Sequence, residues 1–370
     1  MKVICDRAAL LDAVNSVNGV VATRTPSPVL QCVKLTAADG VLSLAATDLE
    51  VGLRLTLDQV DVQEDGEALI PADKITQIVR SSSDATLTLE TEDHTVHLRG
   101  ADAHFTIYGY DPSEAPTVRE MTEGEDDCEI DGDILQRLIE RTLFAAAAEH
   151  SRYAINGILF ERTANKLRMV ATDGRRLAVA RGVCRGGEGE AACIIPSKAL
   201  NLVARLVRDP DAPVRIAIDE NQALFAIGKG DAASVLSCNL VEGTFPPFED
   251  VIPKDQDKKV TFDVETLRSA IKRAALLTNE ESKGVRLSFA DQKLTLTSRA
   301  PEMGEAEIQV DIPAYEGDPV EIGFNPGFIT DALKVIDGGD VIIELKAPNK
   351  PGVLRTGTEF TYVVMPVNLQ

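Results

Sequence analysis

Two kinds of hydrophobic spacing alternate along the chain, and they do so three times. Apolar residues recur every three or four positions in DRAALLDAVNSV from Asp6, in DGDILQRLIERTLFAAAAE from Asp131 and in DVETLRSAIKRAAL from Asp263, the period of a helix that buries one face. In each segment an Asp stands four positions before a Leu (Leu10, Leu135, Leu267), where its carboxylate can accept the unpaired backbone N–H groups of a helix start. A stretch of alternating apolar and polar residues follows: PVLQCVKLTAADGVLSLAATD, then YAINGILFERTANKLRMVATD, then KGVRLSFADQKLTLTSRA. Each folds back at a polar turn, at Ala38-Asp39-Gly40, at Ala164-Asn165 and at Ala290-Asp291-Gln292, so each predicts a β-hairpin. A second helix is introduced by ALIPADKITQIVR, CIIPSKALNLVARLV and EIGFNPGFITDALKVI. Proline suits such a start because its missing N–H would be unpaired there anyway.

The copies are spaced by about 125 residues. Thr47-Asp48 returns as Thr172-Asp173 and Pro71 returns as Pro196, whereas the third copy has diverged to Ser298-Arg299. The unit is helix, strands, helix, strands, which predicts an α+β protein of three repeated domains, each with two helices packed on antiparallel sheets. Boundaries fall in YDPSEAPTVREMTEGEDDC and TFPPFEDVIPKDQDKK, whose Pro-rich and acidic composition is that of linkers. The expected domains are 1–125, 126–254 and 255–370.

Composition narrows the function. Hydrophobic residues make up 44% of the 370 and aromatic ones only 4%, with no Trp, so the core is expected to be aliphatic. No apolar run is long enough to span a bilayer, and MKVICDRAAL carries charge where a secretion signal needs apolar residues. The expectation is a cytoplasmic protein with no membrane partner. Six cysteines without a C-x-x-C pair read as buried free thiols. His94 and His97 are three apart on a predicted strand and so face opposite ways, which makes the stretch ending at His104 a poor metal site. Neither a phosphate-binding loop nor a nucleophile elbow is present, and no cofactor, metal or catalytic residue is expected. The repeated Thr-Asp reads as a strand-end turn whose short side chains bond the nearby backbone.

Net charge is −21, which opposes nonspecific adhesion to nucleic acid. The six predicted helical segments, however, sum to +2 over 81 residues, leaving −23 on the other 289. If helices line one surface, that surface is neutral to basic and suits phosphate while the rest repels it. Its cations would be Lys74, Arg80, Arg137, Arg141, Lys198, Arg205, Lys272, Arg273 and Lys334.

The segments TDLE at Thr47, RYAINGILFE at Arg152, VATDGRRLA at Val170, GVRL at Gly284, IGFN at Ile322 and YVVMPVNL at Tyr362 resemble the bacterial sliding-clamp family, the beta subunits of DNA polymerase III, over essentially the whole length. The resemblance implies a DNA-clamp fold in a ring-forming head-to-tail homodimer, a processivity factor that encircles double-stranded DNA without reading its sequence. It places DNA contacts at Arg24, Asp73, Lys74, Glu149, Tyr153 and Ala154; Asp73, Glu149 and Ala154 depart from the basic, amide and aromatic residues usual there. It also implies a pocket for short hydrophobic peptides of the polymerase III alpha subunit, clamp-loader subunits and other clamp-binding proteins. That pocket maps onto Arg152, Ile155, Thr172, Gly174, Arg175, Arg176, Leu177, Pro246, Val251, Asn325, Phe328, Val363, Val364, Met365, Pro366, Val367 and Leu369. Asp250 and Gln370 depart from its usual pattern. Dimer contacts are expected at Phe105 and Ile107 on one side and at Leu276 and Leu277 on the other. Three rival readings remain at this point: a trimeric clamp resembling proliferating cell nuclear antigen, a hydrolase using the Thr-Asp sites, and a protein-binding scaffold that never touches DNA.

Overall fold

The structure is a computed structural model that describes residues 1–125, 127–147, 154–187, 189–228, 233–278 and 284–368. Its helices are α1 (Arg7–Asn18), α2 (Ala72–Ser81), α3 (Gly132–Leu143), α4 (Ser197–Leu206), α5 (Val264–Ala275) and α6 (Pro326–Lys334). The chain divides into two compact units. The first holds Met1–Gln136, Cys184–Gly189 and Lys198–Leu240; the second holds Arg137–Val183, Glu190–Ser197 and Val241–Gln370.

In the first unit, an eight-stranded antiparallel sheet runs in the order Cys128–Asp131, Pro213–Ile218, Gln222–Ile227, Ser234–Asn239, Val51–Leu57, Val41–Thr47, Cys32–Ala38, Gly66–Pro71. A five-stranded sheet runs Val60–Glu64, Lys2–Asp6, Thr86–Glu92, Thr95–Arg99, His104–Tyr108. The second unit repeats the plan. Its eight strands are Glu190–Pro196, Gly157–Thr163, Lys166–Thr172, Arg176–Val183, Phe360–Val364, Gly352–Thr356, Asp340–Leu345 and Lys258–Asp263, and its four are Gly304–Asp311, Lys293–Ala300, Val285–Ala290 and Val320–Phe324. Each large sheet is therefore half middle repeat and half terminal repeat, joined where Val235 pairs with Arg54 and where Arg176 pairs with Val364.

Local sequence explains these elements. Asp39-Gly40 (φ 52° and 77°) and Asp291-Gln292 (φ 52° and 57°) take the left-handed conformation that matches strand twist in a two-residue hairpin turn. Asp6 and Asp263 cap α1 and α5, accepting the Ala9 and Thr266 amides at 2.8 Å. One face of α5 is buried through Val264, Leu267, Ala270, Ile271 and Ala274, the stripe its spacing predicts. All six cysteines are buried, and burial pushes the Cys5 thiol up to about 12.

One expectation needs correction. Helix α3 ends at Leu143 rather than Glu149, because the Ala147 amide donates to the Ile155 carbonyl and so leaves the helical ladder. Pro71 and Pro196 each end a strand and stand immediately before a helix, Pro71 as the N-cap of α2; both strands lie at sheet edges, where a missing donor costs no ladder bond. In the third copy Pro326 is the first residue of α6, behind Asn325, whose side chain caps the Gly327 amide at 2.9 Å. Strand pairing also brings His97 Nδ1 within 3.1 Å of His104 Nε2, a juxtaposition that linear spacing hides. Among the described residues no group of three acids, histidines or cysteines is placed to hold a metal, and no helix is long and apolar enough to cross a membrane.

Candidate functional site

The Thr172-Asp173 turn is built by its own side chains. Thr172 Oγ1 accepts the Gly174 amide at 3.1 Å and donates to the Arg176 carbonyl at 2.7 Å. Asp173 Oδ1 accepts the Arg175 and Arg176 amides at 2.9 and 3.1 Å. With the Thr172 hydroxyl and Asp173 Oδ1 committed to the backbone and Asp173 Oδ2 to Arg176, the pair is a structural turn. Gly174 supplies φ +82°, a conformation that strains any residue with a Cβ.

Arg176 fastens this turn to what surrounds it. Its guanidinium meets Asp173 at 3.0 Å, Asp331 on α6 at 2.9 Å and the Phe144 carbonyl at 2.7 Å. It also lies over the rings of Phe328 and Phe144, at 4.5 and 5.4 Å. Burial opposes its charge, but the bonds to Asp331, Tyr362 and Asp173 outweigh that and raise its pKa above the ordinary value.

Beside the turn opens a cavity of about 210 Å³. Its floor is the junction of Arg176–Val183 with Phe360–Val364, where Leu177 pairs with Val363. The chain then continues the ladder, Met365 donating its amide to the Arg175 carbonyl at 2.9 Å. One wall is the linker, through Pro246, Pro247, Phe248 and Val251, with Phe245 and Phe248 in edge-to-face contact at 6.2 Å. The lining is mainly aliphatic and aromatic, with Thr172, Arg175 and Arg176 at its polar end. Such a site buries an apolar side chain and orients what carries it.

The structure brings ten of the expected pocket residues around this cavity: Ile155, Thr172, Gly174, Arg175, Arg176, Leu177, Pro246, Val251, Val363 and Met365. Asn325 caps α6 and Phe328 stacks on Arg176, both one step removed. Val364 does not line it; as the strand neighbour of Val363 it faces the other side of the sheet and is fully buried. Pro366 and Val367 lie beyond the lining, and the Val367 amide is held by the Gly323 carbonyl. Arg152 and Leu369 lie outside the described residues. Pro247 and Phe248 line the cavity but were not anticipated; two Phe around two Pro, in a chain so poor in aromatics, was the available signal.

The expected DNA-facing residues fare unevenly. Arg24 is exposed in a loop, and Asp73 and Lys74 are exposed in the first turn of α2, 3.3 Å apart. Glu149 and Tyr153 lie outside the described residues. Ala154 is only 8% exposed and packs in the cluster of Ile155, Phe245 and Phe248, so its side chain has no surface to offer DNA. Of the helix cations, Arg141 is buried over Phe360 and reaches Glu359, and Lys198 is paired with Asp48. Lys74, Arg205, Lys272 and Arg273 are exposed. With the observed bounds, the six described helices carry eleven Lys and Arg against six Asp and Glu.

Of the expected dimer contacts, Phe105 is half-buried and Leu276 is 73% exposed, with Leu277 beside it. Ile107 is 5% exposed and belongs to its own unit's core. The strands His104–Tyr108 and Gly304–Asp311 are each outermost in their sheets.

Three family profiles match in succession: DNA polymerase III beta subunit, N-terminal domain, over residues 1–119; central domain, over 129–247; and C-terminal domain, over 249–368. The beta sliding clamp of Pseudomonas putida is 36% identical over 367 residues, 98% of each chain. That of Escherichia coli is 32% identical over 372 residues, covering both chains fully. Among solved structures, the Pseudomonas aeruginosa sliding clamp bound to griselimycin superposes with a TM-score of 0.91 at 34% identity over all of both chains. Repeats, sheets and helices thus define the three-domain sliding-clamp fold. The chain belongs to the DNA polymerase III beta subunit family, and its role is that of a sliding clamp, the processivity factor and accessory subunit of that polymerase.

Proposed function

We propose that two copies of this chain, each with domains at 1–125, 126–254 and 255–370, join head to tail in a ring around double-stranded DNA and tether partners to it without catalysing a reaction. The observation that carries this reading is the separation of charge: a chain of net −21 whose described helices are net basic. Helices facing the duplex meet phosphate, and acidic sheets and loops repel it everywhere else. Arg24 and Lys74, with Tyr153, are the proposed DNA contacts. Because topology rather than affinity retains the duplex, few contacts suffice, and sequence is not read.

The apolar cavity is proposed to take the short hydrophobic motif of the DNA polymerase III alpha subunit, of clamp-loader subunits and of other clamp-binding proteins. Its aliphatic walls and the partly exposed Met365 suit Leu and Phe anchors on an extended peptide. The ring contact is proposed between the edge strand carrying Phe105 and the region of Leu276 and Leu277, since pairing two exposed edges removes both. The protein works in the cytoplasm, with no membrane partner.

The deciding experiment loads the protein on circular DNA and then linearises it. The expected outcome is retention on circles and release from linear ends. Binding that is indifferent to linearisation, or no retention on circles, would reject the ring. Replacing Leu276 and Leu277 by Asp is expected to give monomers, and an unchanged dimer mass in sedimentation would reject that contact.

A further inference from the structure

Across one face of the eight-stranded sheet of the second unit runs a row of polar side chains: Glu161, Arg168, Arg181, Thr361, Arg355 and Glu344. Register sets Glu161 opposite Arg168, Arg168 opposite Arg181, and Thr361 opposite Arg355. The flanking arginines have carboxylates. Arg168 reaches Glu161 at 2.7 Å and Glu249 at 2.8 Å, and Arg355 reaches Glu344 at 2.9 Å. Arg181 does not. Its Nη1 has only the Thr361 hydroxyl at 3.3 Å and the Thr358 carbonyl at 3.4 Å, both long bonds, and among the described residues it forms no ion pair. Thr361 Oγ1 also accepts from Arg355 at 3.0 Å, so two guanidiniums share one neutral oxygen. Burial, and then the charges of Arg168 and Arg355, hold the Arg181 pKa below its ordinary value, with Glu249, which is committed to Arg168, only partly opposing them. In a chain so acidic, a half-buried cation left between two others is a place where an anion is missing.

The row lies on the same face of the sheet as the cavity, with the fully buried Val179 and the ring of Phe248 between them. Leu177, Val179 and Arg181 point to the same face of one strand, and Leu177 lines the cavity. Phe248, another lining residue, lies under the Arg168 guanidinium at 5.0 Å. From Leu177 to Arg181 is four residues of strand, about 13 Å at about 3.3 Å per residue, a span that roughly four residues of extended peptide also cover.

We propose that Arg181 receives an acidic side chain of the bound partner peptide, an Asp or Glu about four residues from the apolar anchor that fills the cavity. The proposal rests on the reading of the cavity as a peptide site. It makes the arginine row a specificity element, selecting among hydrophobic motifs by what flanks them.

The test uses fluorescein-labelled extended peptides with a Leu-Phe anchor and an Asp four residues to one side or the other, together with their Asn counterparts. Anisotropy titrations are run on the full chain and on Arg181→Gln. One of the Asp peptides is expected to bind the unaltered chain about tenfold more tightly than its Asn counterpart. That preference should vanish in Arg181→Gln while Asn-peptide affinity stays the same. Added salt should shrink the preference in the unaltered chain without touching the Asn peptides, a readout that does not depend on the variant folding. Equal affinity for Asp and Asn peptides, or a preference that survives in Arg181→Gln, would overturn the proposal while leaving the cavity a peptide site. Failure of every peptide to bind would overturn both.

Discussion

The turn at Thr47-Asp48 and the turn at Thr172-Asp173 are the same device in two settings. Thr47 Oγ1 donates to the Val51 carbonyl and accepts the Leu49 amide, and Asp48 Oδ1 accepts the amides of Glu50 and Val51, bond for bond the pattern at Thr172-Asp173. The surroundings differ. In the first unit Asp48 pairs with the exposed Lys198. Gly52 there lies so close to its neighbours that an added Cβ would come within 2.9 Å of Ser237 Oγ and 3.0 Å of Val118 Cγ1. In the second unit the matching position is Leu177, the arginine beside it is nearly buried, and the proline-bearing linker stands back to leave a cavity. Keeping the turn keeps the scaffold; what covers the turn decides whether a cavity results.

The largest expected effect tests how far the two ion pairs differ. Arg176→Met leaves Asp173 and Asp331 without their shared partner in a partly dry setting and should cost about 3–5 kcal/mol in urea unfolding; a loss below about 1 kcal/mol would put Arg176 on a par with a surface pair. Next, Gly52→Leu copies the second setting into the first. With Val118 and Ser237 in the way it should overpack and destabilise by about 1–3 kcal/mol, leaving peptide affinity unchanged; a neutral outcome would mean the first junction can open. Smaller still are the two left-handed positions. Gly174→Ala should destabilise by about 1 kcal/mol and Leu49→Gly, at φ 78°, should stabilise by a similar amount. Shifts of the same sign would show that backbone conformation is not what distinguishes these residues. Smallest is Lys198→Met, about 0.2–1 kcal/mol, fading as salt is added.

Much of this was legible in the sequence because it is local. Hairpin turns, Asp caps, helix faces and the Thr-Asp turns each depend on residues within about five positions of one another, and the repeat displayed them more than once. Ten cavity residues came through resemblance. What stayed hidden depends on register between distant segments. Nothing in the spacing of Arg168, Arg181, Arg355 and Thr361 announces that three strand pairings align them. The burial of Arg141 against Phe360 is of the same kind, since helix periodicity marks a charged position without saying what the fold lays over it. Ala154 was assigned by position in a family pattern, and its small apolar side chain, set among Ile155, Phe245 and Phe248, was the chemical hint that it packs inward.

The strand Phe360–Val364 lies in the interior of its sheet yet comes later in the chain than all seven strands that flank it. As the polypeptide emerges in order, that sheet keeps a gap until this strand arrives and joins partners more than 175 positions earlier, a slow, non-local closure. Val363 and Met365 arrive with it, so the floor of the cavity is the last part to be laid. On the proposed reading of the cavity as a peptide site, a chain that has not yet reached this strand offers no place for a partner to dock, and peptide binding reports that the sheet has closed.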